Sequence, residues 1–310
     1  MSSIEGTDEV RSFRHRVRIG QVISDRVRQW LGQRLFRRSL PVFLRGGDWI
    51  SLKPLVNGYW EPTLQALFTH AARHGYQDFL IDIGANIGLT SCQCGDLFRE
   101  VLMFEPNQEI FPILELNTKL SLRTCRARAF NFGLGPTAST TTLNVPSGNI
   151  GGAFIHDRYN AYADELFATR HAKSSFDLAS YRQVPIRIEA TSAALPPLFT
   201  ELRTKGLTNG VIKIDVEGYE KAILKSLAPL VPSDVRLMIV FENWDDSFDI
   251  DSVLTSFSQP VRAFRISRRP TSRGALWKDL PSMLLAGGAQ FGLESVRKGH
   301  CEGEIVLLTP

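Results

Sequence analysis

Asp78-Phe79-Leu80-Ile81-Asp82-Ile83-Gly84-Ala85-Asn86-Ile87-Gly88-Leu89-Thr90 is the stretch on which the fold turns. A short apolar run ends in an aspartate, passes two glycines and continues into helix-compatible sequence. That pattern predicts a buried strand feeding a tight turn that opens a helix. Gly84 and Gly88 supply unusual backbone angles and leave room for a ligand to approach the main chain. In an open α/β sheet, the crevice at the carboxyl end of such a strand is where nucleotides sit. The turn reads G-A-N-I-G and not G-x-G-x-x-G, which weakens a pyrophosphate reading. A bare strand-to-helix turn with no ligand is the plain alternative.

Downstream, strand and helix patterns alternate. Val101–Phe104 predicts a second strand, followed by a helix through about Leu120. Ala127–Phe132, Val211–Ile214 and Leu237–Phe241 predict three more strands, with further candidates at Val261–Ile266 and Glu304–Leu308. Such alternation implies a mostly parallel sheet with right-handed crossovers, and the last strand, after a turn-rich stretch, is expected to pair antiparallel. Between about 136 and 196 the rhythm lapses. The long insertion is expected near the carboxyl edge of the sheet, shaping an acceptor pocket, with Tyr159–Lys173 helical. Upstream, Val42–Leu44, a Gly46-Gly47-Asp48 turn and Trp49–Leu52 read as a hairpin within a 41–62 lead-in. Pro62 then suits the first turn of a helix over Thr63–His74. His70 and His74 lie four apart on that helix, where exposed histidines are favoured over a metal pair.

Two features carry chemistry. Glu105 ends the second strand about twenty residues past the glycine turn, placed to accept from ribose hydroxyls. Ile212-Lys213-Ile214-Asp215-Val216-Glu217-Gly218-Tyr219-Glu220 brings three carboxylates to a strand end, with Glu220 suited to the first helical turn. Clustered carboxylates imply donors or cations nearby, and a sulfonium centre with an amino group would serve. A hard metal on Asp215, Glu217 and Glu242 is the weaker alternative.

D-I-G-A-N-I-G at 82–88, F-E-P-N at 104–107 and I-K-I-D-V-E-G-Y-E at 212–220 together resemble the FkbM-type methyltransferase family. Gly58-Tyr59-Trp60-Glu61-Pro62 is similar to the family's lead-in, although Trp60 adds a residue to it. The resemblance covers about Gly58 to Glu242. It implies a Rossmann-like class I methyltransferase fold: a mostly parallel seven-stranded sheet with an antiparallel last strand, flanked by helices. It also implies methyl transfer from S-adenosylmethionine, most often to a hydroxyl of a sugar, glycan or secondary metabolite. Asp82, Gly84, Asn86 and Gly88 would then surround the methionine part, Glu105 the ribose, and Asn107 the adenine. Asp215 would face the transferring methyl group with Glu217 and Glu242 beside it, and Glu61 and Asn131 would complete the cofactor site. Asp215 is the first choice of general base, then Glu217, with His156 on the insertion third.

The composition, 43% hydrophobic and 22% charged, is that of a soluble globular protein. Cys92, Cys94, Cys125 and Cys301 have no zinc-like spacing, and a cytoplasmic setting is expected. Between Arg11 and Arg45 stand ten arginines and one acidic residue, a balance of +9, so the rest of the chain carries −5 of the total +4. Val10, Phe13, Val17, Ile23, Val27, Leu31 and Leu35 follow a helical rhythm. Residues 1–40 thus read as a basic amphipathic arm ahead of a methyltransferase domain at 41–310. Residues 10–45 would dock on an anionic membrane surface or pack on the body, with packing favoured. The acceptor is expected to be a small molecule or glycan. No interleaved aromatic platform supports a stable nucleic-acid partner, though a nucleic-acid methyltransferase and a non-catalytic tethering protein are the competing readings.

Overall fold

A computed structural model describes residues 26–27, 30–31, 41–160, 162, 164, 166–167, 177–245, 248–269, 290–296 and 302–310. Nearly all of the arginine-rich arm, most of the helix expected at 159–173 and the glycine turn at 287–288 lie outside these described residues.

At the centre is β1 (Phe79–Ile83), buried at every residue. It pairs in parallel with β2 (Glu100–Phe104) on one side and β8 (Asn209–Ile214) on the other. β3 (Arg126–Phe130) continues the parallel set beyond β2, and β9 (Arg236–Asn243) continues it beyond β8. Past β9 the pairing becomes antiparallel, through β12 (Gly303–Leu308), β10 (Arg262–Arg269) and β11 (Gln290–Ser295). The order is β11-β10-β12-β9-β8-β1-β2-β3. Eight strands stand where seven were expected. The addition is β11 at the edge, whose Gln-Phe-Gly-Leu-Glu-Ser sequence offers only two large apolar residues and a central glycine.

The central strands are covered on both faces, as parallel strands require. Phe79, Ile81, Ile83, Leu102, Phe104, Ile212 and Ile214 enter one core, with α5 (Thr191–Thr204), α6 (Glu220–Leu227) and α7 (Ile250–Leu254). Leu80, Val101, Met103 and Val211 alternate to the other, beneath α2 (Pro62–Arg73), α3 (Leu89–Cys94) and α4 (Phe111–Ser121). Pro62 takes the first turn of α2. The insertion, with the three residues just before it, forms a second sheet, β4-β7-β5-β6, from β4 (Gly133–Gly135), β5 (Ser139–Val145), β6 (Phe154–Ile155) and β7 (Arg182–Ala190). Val184, Ile186 and Ile188 of β7 join the first core, which seats this sheet against the main one.

The expected hairpin is a correction. Trp49–Asn57 is a helix, α1, with Pro54 inside it. Ile50 and Ser51 are buried together with Pro54, a three-to-four residue spacing, while Trp49 and Leu52 face out. Asp48 fixes the start of the helix by accepting from the Ser51 hydroxyl at 3.3 Å and from Ile150 N–H at 3.0 Å.

Candidate active site

At the end of β1 the chain takes left-handed φ values of 82° at Gly84, 54° at Asn86 and 84° at Gly88. Gly84 N–H and Ala85 N–H both donate to Phe104 O at 3.0 Å, and Asp215 N–H donates to Ile83 O at 3.0 Å. A Cβ on Gly84 would lie 2.0 Å from Asp215 O, so only glycine lets the β1 and β8 ends approach. This junction is where the strand order reverses direction, the position of ligand crevices in open sheets. A cleft of about 370 Å³ opens there.

On one wall Glu105 is buried and its carboxylate accepts from Asn86 N–H at 2.8 Å and Asn107 N–H at 2.7 Å. Burial pushes its pKa up to about 7 against the lowering effect of those two bonds. Asn107 is also fully buried in this wall. Its Oδ1 accepts from Glu109 N–H at 3.0 Å, while its Nδ2 has no hydrogen-bond partner. Asn131 is placed differently from expectation. It lies outside the cleft lining and donates to Glu105 O at 3.0 Å, bracing the strand end.

The opposite wall is acidic. Lys213 Nζ, almost fully buried, stands 3.2 Å from Asp82 Oδ1 and 3.1 Å from Asp215 Oδ2. Burial lowers the Lys213 pKa, but Asp215 and Asp82 outweigh it and hold the ammonium well above its usual range. Asp82 also accepts from the Ser91 hydroxyl at 2.7 Å and has no exposure. Asp82 and Gly88 therefore stand behind the cleft, which Gly84 and Asn86 line, and Asp82 reaches it through Lys213. Asp215, Glu217, Glu242 and Glu61 line it directly. Glu61 Oε2 is buried without a partner, and its pKa is raised to about 7 by burial and then by Asp215, with Glu242 and Glu304 adding. Among the described non-glycine residues, positive φ occurs at Glu61, Asn86 and Glu217, all three in this lining. Such strain persists only where surroundings over-determine it, which is typical of functional sites.

The turn after β8 is held from within by Glu220, which accepts from Val216 N–H at 3.0 Å and Gly218 N–H at 2.9 Å. Glu220 is thus more than a helix-dipole residue. Burial raises it to about 7 despite those bonds. His156 stands outside the cleft lining, with Nε2 2.9 Å from Asp164 Oδ1. Cys92 and Cys94 are buried on α3 with thiols pushed up to about 12 by burial, acting as small apolar groups. The rings of His70 and His74 lie against each other at a tilt of 35°, with centroids 4.0 Å apart. Among the described residues no group of three or more His, Cys, Asp or Glu is gathered so that it could hold a metal ion.

Sequence reading gave no role to Lys213, Glu304, Trp49, Trp60, Trp244 or Tyr219. Lys213 carried a signal: a lysine within a buried apolar strand, which register places directly opposite Asp82. Glu304 pairs in register with Glu242 on the neighbouring strand, which only the topology reveals.

The donor set suits a nucleoside bearing an ammonium group. Buried acceptors at Glu61 and Glu105 suit an ammonium and ribose hydroxyls, and the idle Nδ2 of Asn107 suits a ring nitrogen.

Comparison with curated proteins finds no match. The fold is similar to the magnesium protoporphyrin IX methyltransferase of Synechocystis PCC 6803 with bound SAM, at 10% identity and a TM-score of 0.37, covering 96% of this chain and 99% of that one. It is also similar to an O-methyltransferase from Bacillus cereus in complex with SAH, at 9% identity and a TM-score of 0.36, over 80% and 81% of the two chains. A precorrin-6y C5,15-methyltransferase from Geobacter metallireducens GS-15 gives 10% identity and 0.37, over 79% and 87%. The model of the methyltransferase FkbM domain matches residues 82–258, from Asp82 at the end of β1 through the carboxylate turn and past β9. The chain belongs to the FkbM methyltransferase family.

Proposed function

We propose that this protein transfers a methyl group from S-adenosylmethionine to a hydroxyl of a small molecule, sugar or glycan. The observation that carries the reading is the pairing of two walls in one cleft: Glu105 with Asn107 on one side, and Glu61 with Asp215 on the other. When bound, the donor supplies an already activated methyl group, so the protein's main task is alignment. Glu105 would accept from the ribose hydroxyls while its backbone bonds hold the carboxylate still. Glu61 would accept from the donor's ammonium. Asp215, oriented by Lys213 at 3.1 Å and with its side chain 38% exposed, would take the proton of the acceptor hydroxyl. Glu217 and Glu242 would keep that end of the cleft anionic and receive the acceptor.

Mass spectrometry of donor-dependent methylated products tests the activity. Asp215→Asn should lower turnover by about 10²–10⁴ while leaving acceptor affinity nearly unchanged. Near-normal turnover would move the base to Glu217 or to water. Loss of stability together with donor binding would make Asp215 structural.

For the ten arginines of residues 11–45 two roles are proposed, packing on the acidic body, which opposite charge favours, or docking on an anionic membrane surface. No stable nucleic-acid partner is proposed. If the arm docks, removing residues 1–40 should abolish salt-sensitive binding to phosphatidylserine vesicles and spare donor binding; if it packs on the body, the deletion should lower the melting temperature. Vesicle binding that survives the deletion would reject the docking role. Among the described residues no helix is long and apolar enough to cross a membrane.

A further inference from the structure

Two side chains of the insertion, Asn160 and Asp157, reach the carboxylate turn. Asn160 Nδ2 donates to Ile155 O at 2.7 Å and to Glu217 O at 3.0 Å, and its Oδ1 accepts from Tyr162 N–H at 2.9 Å. Two of these bonds stay within its own loop, and the third crosses to the turn after β8. That turn holds two consecutive left-handed residues, Glu217 at φ 52° and Gly218 at φ 93°. Glycine adopts this region freely, but glutamate does so only under constraint. Glu220 secures the amides of Val216 and Gly218 and leaves the Glu217 carbonyl to Asn160. A Cβ at Gly218 would lie 2.2 Å from Asn160 Oδ1, so the glycine and the carboxamide interlock. The same loop has a separate anchor, the Tyr219 hydroxyl donating to Asp157 Oδ2 at 3.0 Å. The loop therefore keeps one anchor to this turn when the Asn160 bond is removed.

We propose that Asn160 is a positioning residue. Through the Glu217 carbonyl it keeps Glu217 in the left-handed conformation that presents its carboxylate to the cleft. The insertion thereby sets the negative charge at the methyl-transfer end. This inference rests on the reading of the cleft as an S-adenosylmethionine site.

The test uses the full chain and two donor analogues that differ at the reacting position. S-adenosylhomocysteine is a neutral thioether there, while sinefungin carries a protonated amine where the methyl-bearing sulfonium would stand. Titration calorimetry of both gives a preference for sinefungin that reports the local negative charge. Glu217→Gln should cut that preference roughly tenfold, the loss of one charge-assisted bond. Asn160→Ala should reproduce most of the cut with S-adenosylhomocysteine affinity within about twofold. The double variant should lose no more than Glu217→Gln alone, because the two residues act as one unit. Asp157→Ala, which removes the Tyr219 anchor together with the bond from Tyr159 N–H inside the loop but spares Asn160, should leave the preference intact. Should Asn160→Ala fail to fold, Asn160→Asp keeps the bond from Tyr162 N–H and loses the donation to Glu217. It must lower the preference despite the charge it adds.

An unchanged preference in either Asn160 variant, or additive losses in the double variant, would overturn the proposal. So would equal losses in Asn160→Ala and Asp157→Ala, which would mark mere loop support. Failure of the wild type to bind either analogue would overturn the donor reading and this inference with it.

Discussion

Glu61 and Glu105 give the cleft a pH dependence that can be worked out in sign. Both carboxyls are raised to about 7 in the folded protein by burial, from an ordinary value of 4.5. A raised carboxyl binds its proton more tightly folded than unfolded. Its stabilising contribution is complete below about 4.5 and is lost as pH rises through about 7. The melting temperature of the free protein should therefore fall between pH 5 and pH 8. Ligand binding runs the other way, because an ammonium and ribose hydroxyls favour the ionised carboxylates. S-adenosylhomocysteine affinity should rise from pH 6 to pH 8, with protons released on binding near pH 6.5. Calorimetry in buffers of differing ionisation enthalpy measures that release. Glu61→Gln and Glu105→Gln should each flatten the profile. An affinity flat across this range in the wild type would deny the carboxylates their place in the site.

At the scale of elements, the glycine turn is a packing device before it is a ligand cradle. Gly84 has φ +82° and would bring a Cβ within 2.0 Å of Asp215 O, whereas Gly75 has φ +92° with nothing near its would-be Cβ. Both alanine substitutions incur the left-handed strain, but only Gly84→Ala also forces β1 and β8 apart. Gly75→Ala should cost on the order of 1 kcal/mol. Gly84→Ala should cost clearly more in a denaturant titration and abolish donor binding. Equal effects would mean that the close approach of β1 and β8 is unimportant. The same turn shows why part of the molecule was legible in sequence. Strands buried on both faces, such as Phe79–Ile83 and Val211–Ile214, read as short runs that are apolar but for one charged residue each, Asp82 and Lys213, and are bounded by turn residues. α1 did not, because Trp49 and Ile50 side by side and Pro54 within the helix obscure its spacing. Glu105 was legible because a strand end announces it. Glu304 and Asn160 were not, since each meets the site only through strand register or a loop contact.

For the molecule as a whole, the sheet order brings together segments far apart in the chain. Glu61 precedes α2, Asp215 follows β8, Glu242 is the last residue but one of β9, and Glu304 lies opposite it on β12. No local pattern encodes such a gathering, although each strand end does so in part. The excess of buried acid over Lys213 in this gathering is what a cationic ligand would offset. The most direct measurement is titration calorimetry of the full chain with S-adenosylhomocysteine and, separately, with NAD. The geometry predicts one S-adenosylhomocysteine bound per chain, weakened roughly tenfold or more in Glu105→Ala by loss of a charged hydrogen bond, and no binding of NAD. Absence of S-adenosylhomocysteine binding, or an affinity indifferent to Glu105→Ala and Glu61→Gln alike, would contradict it.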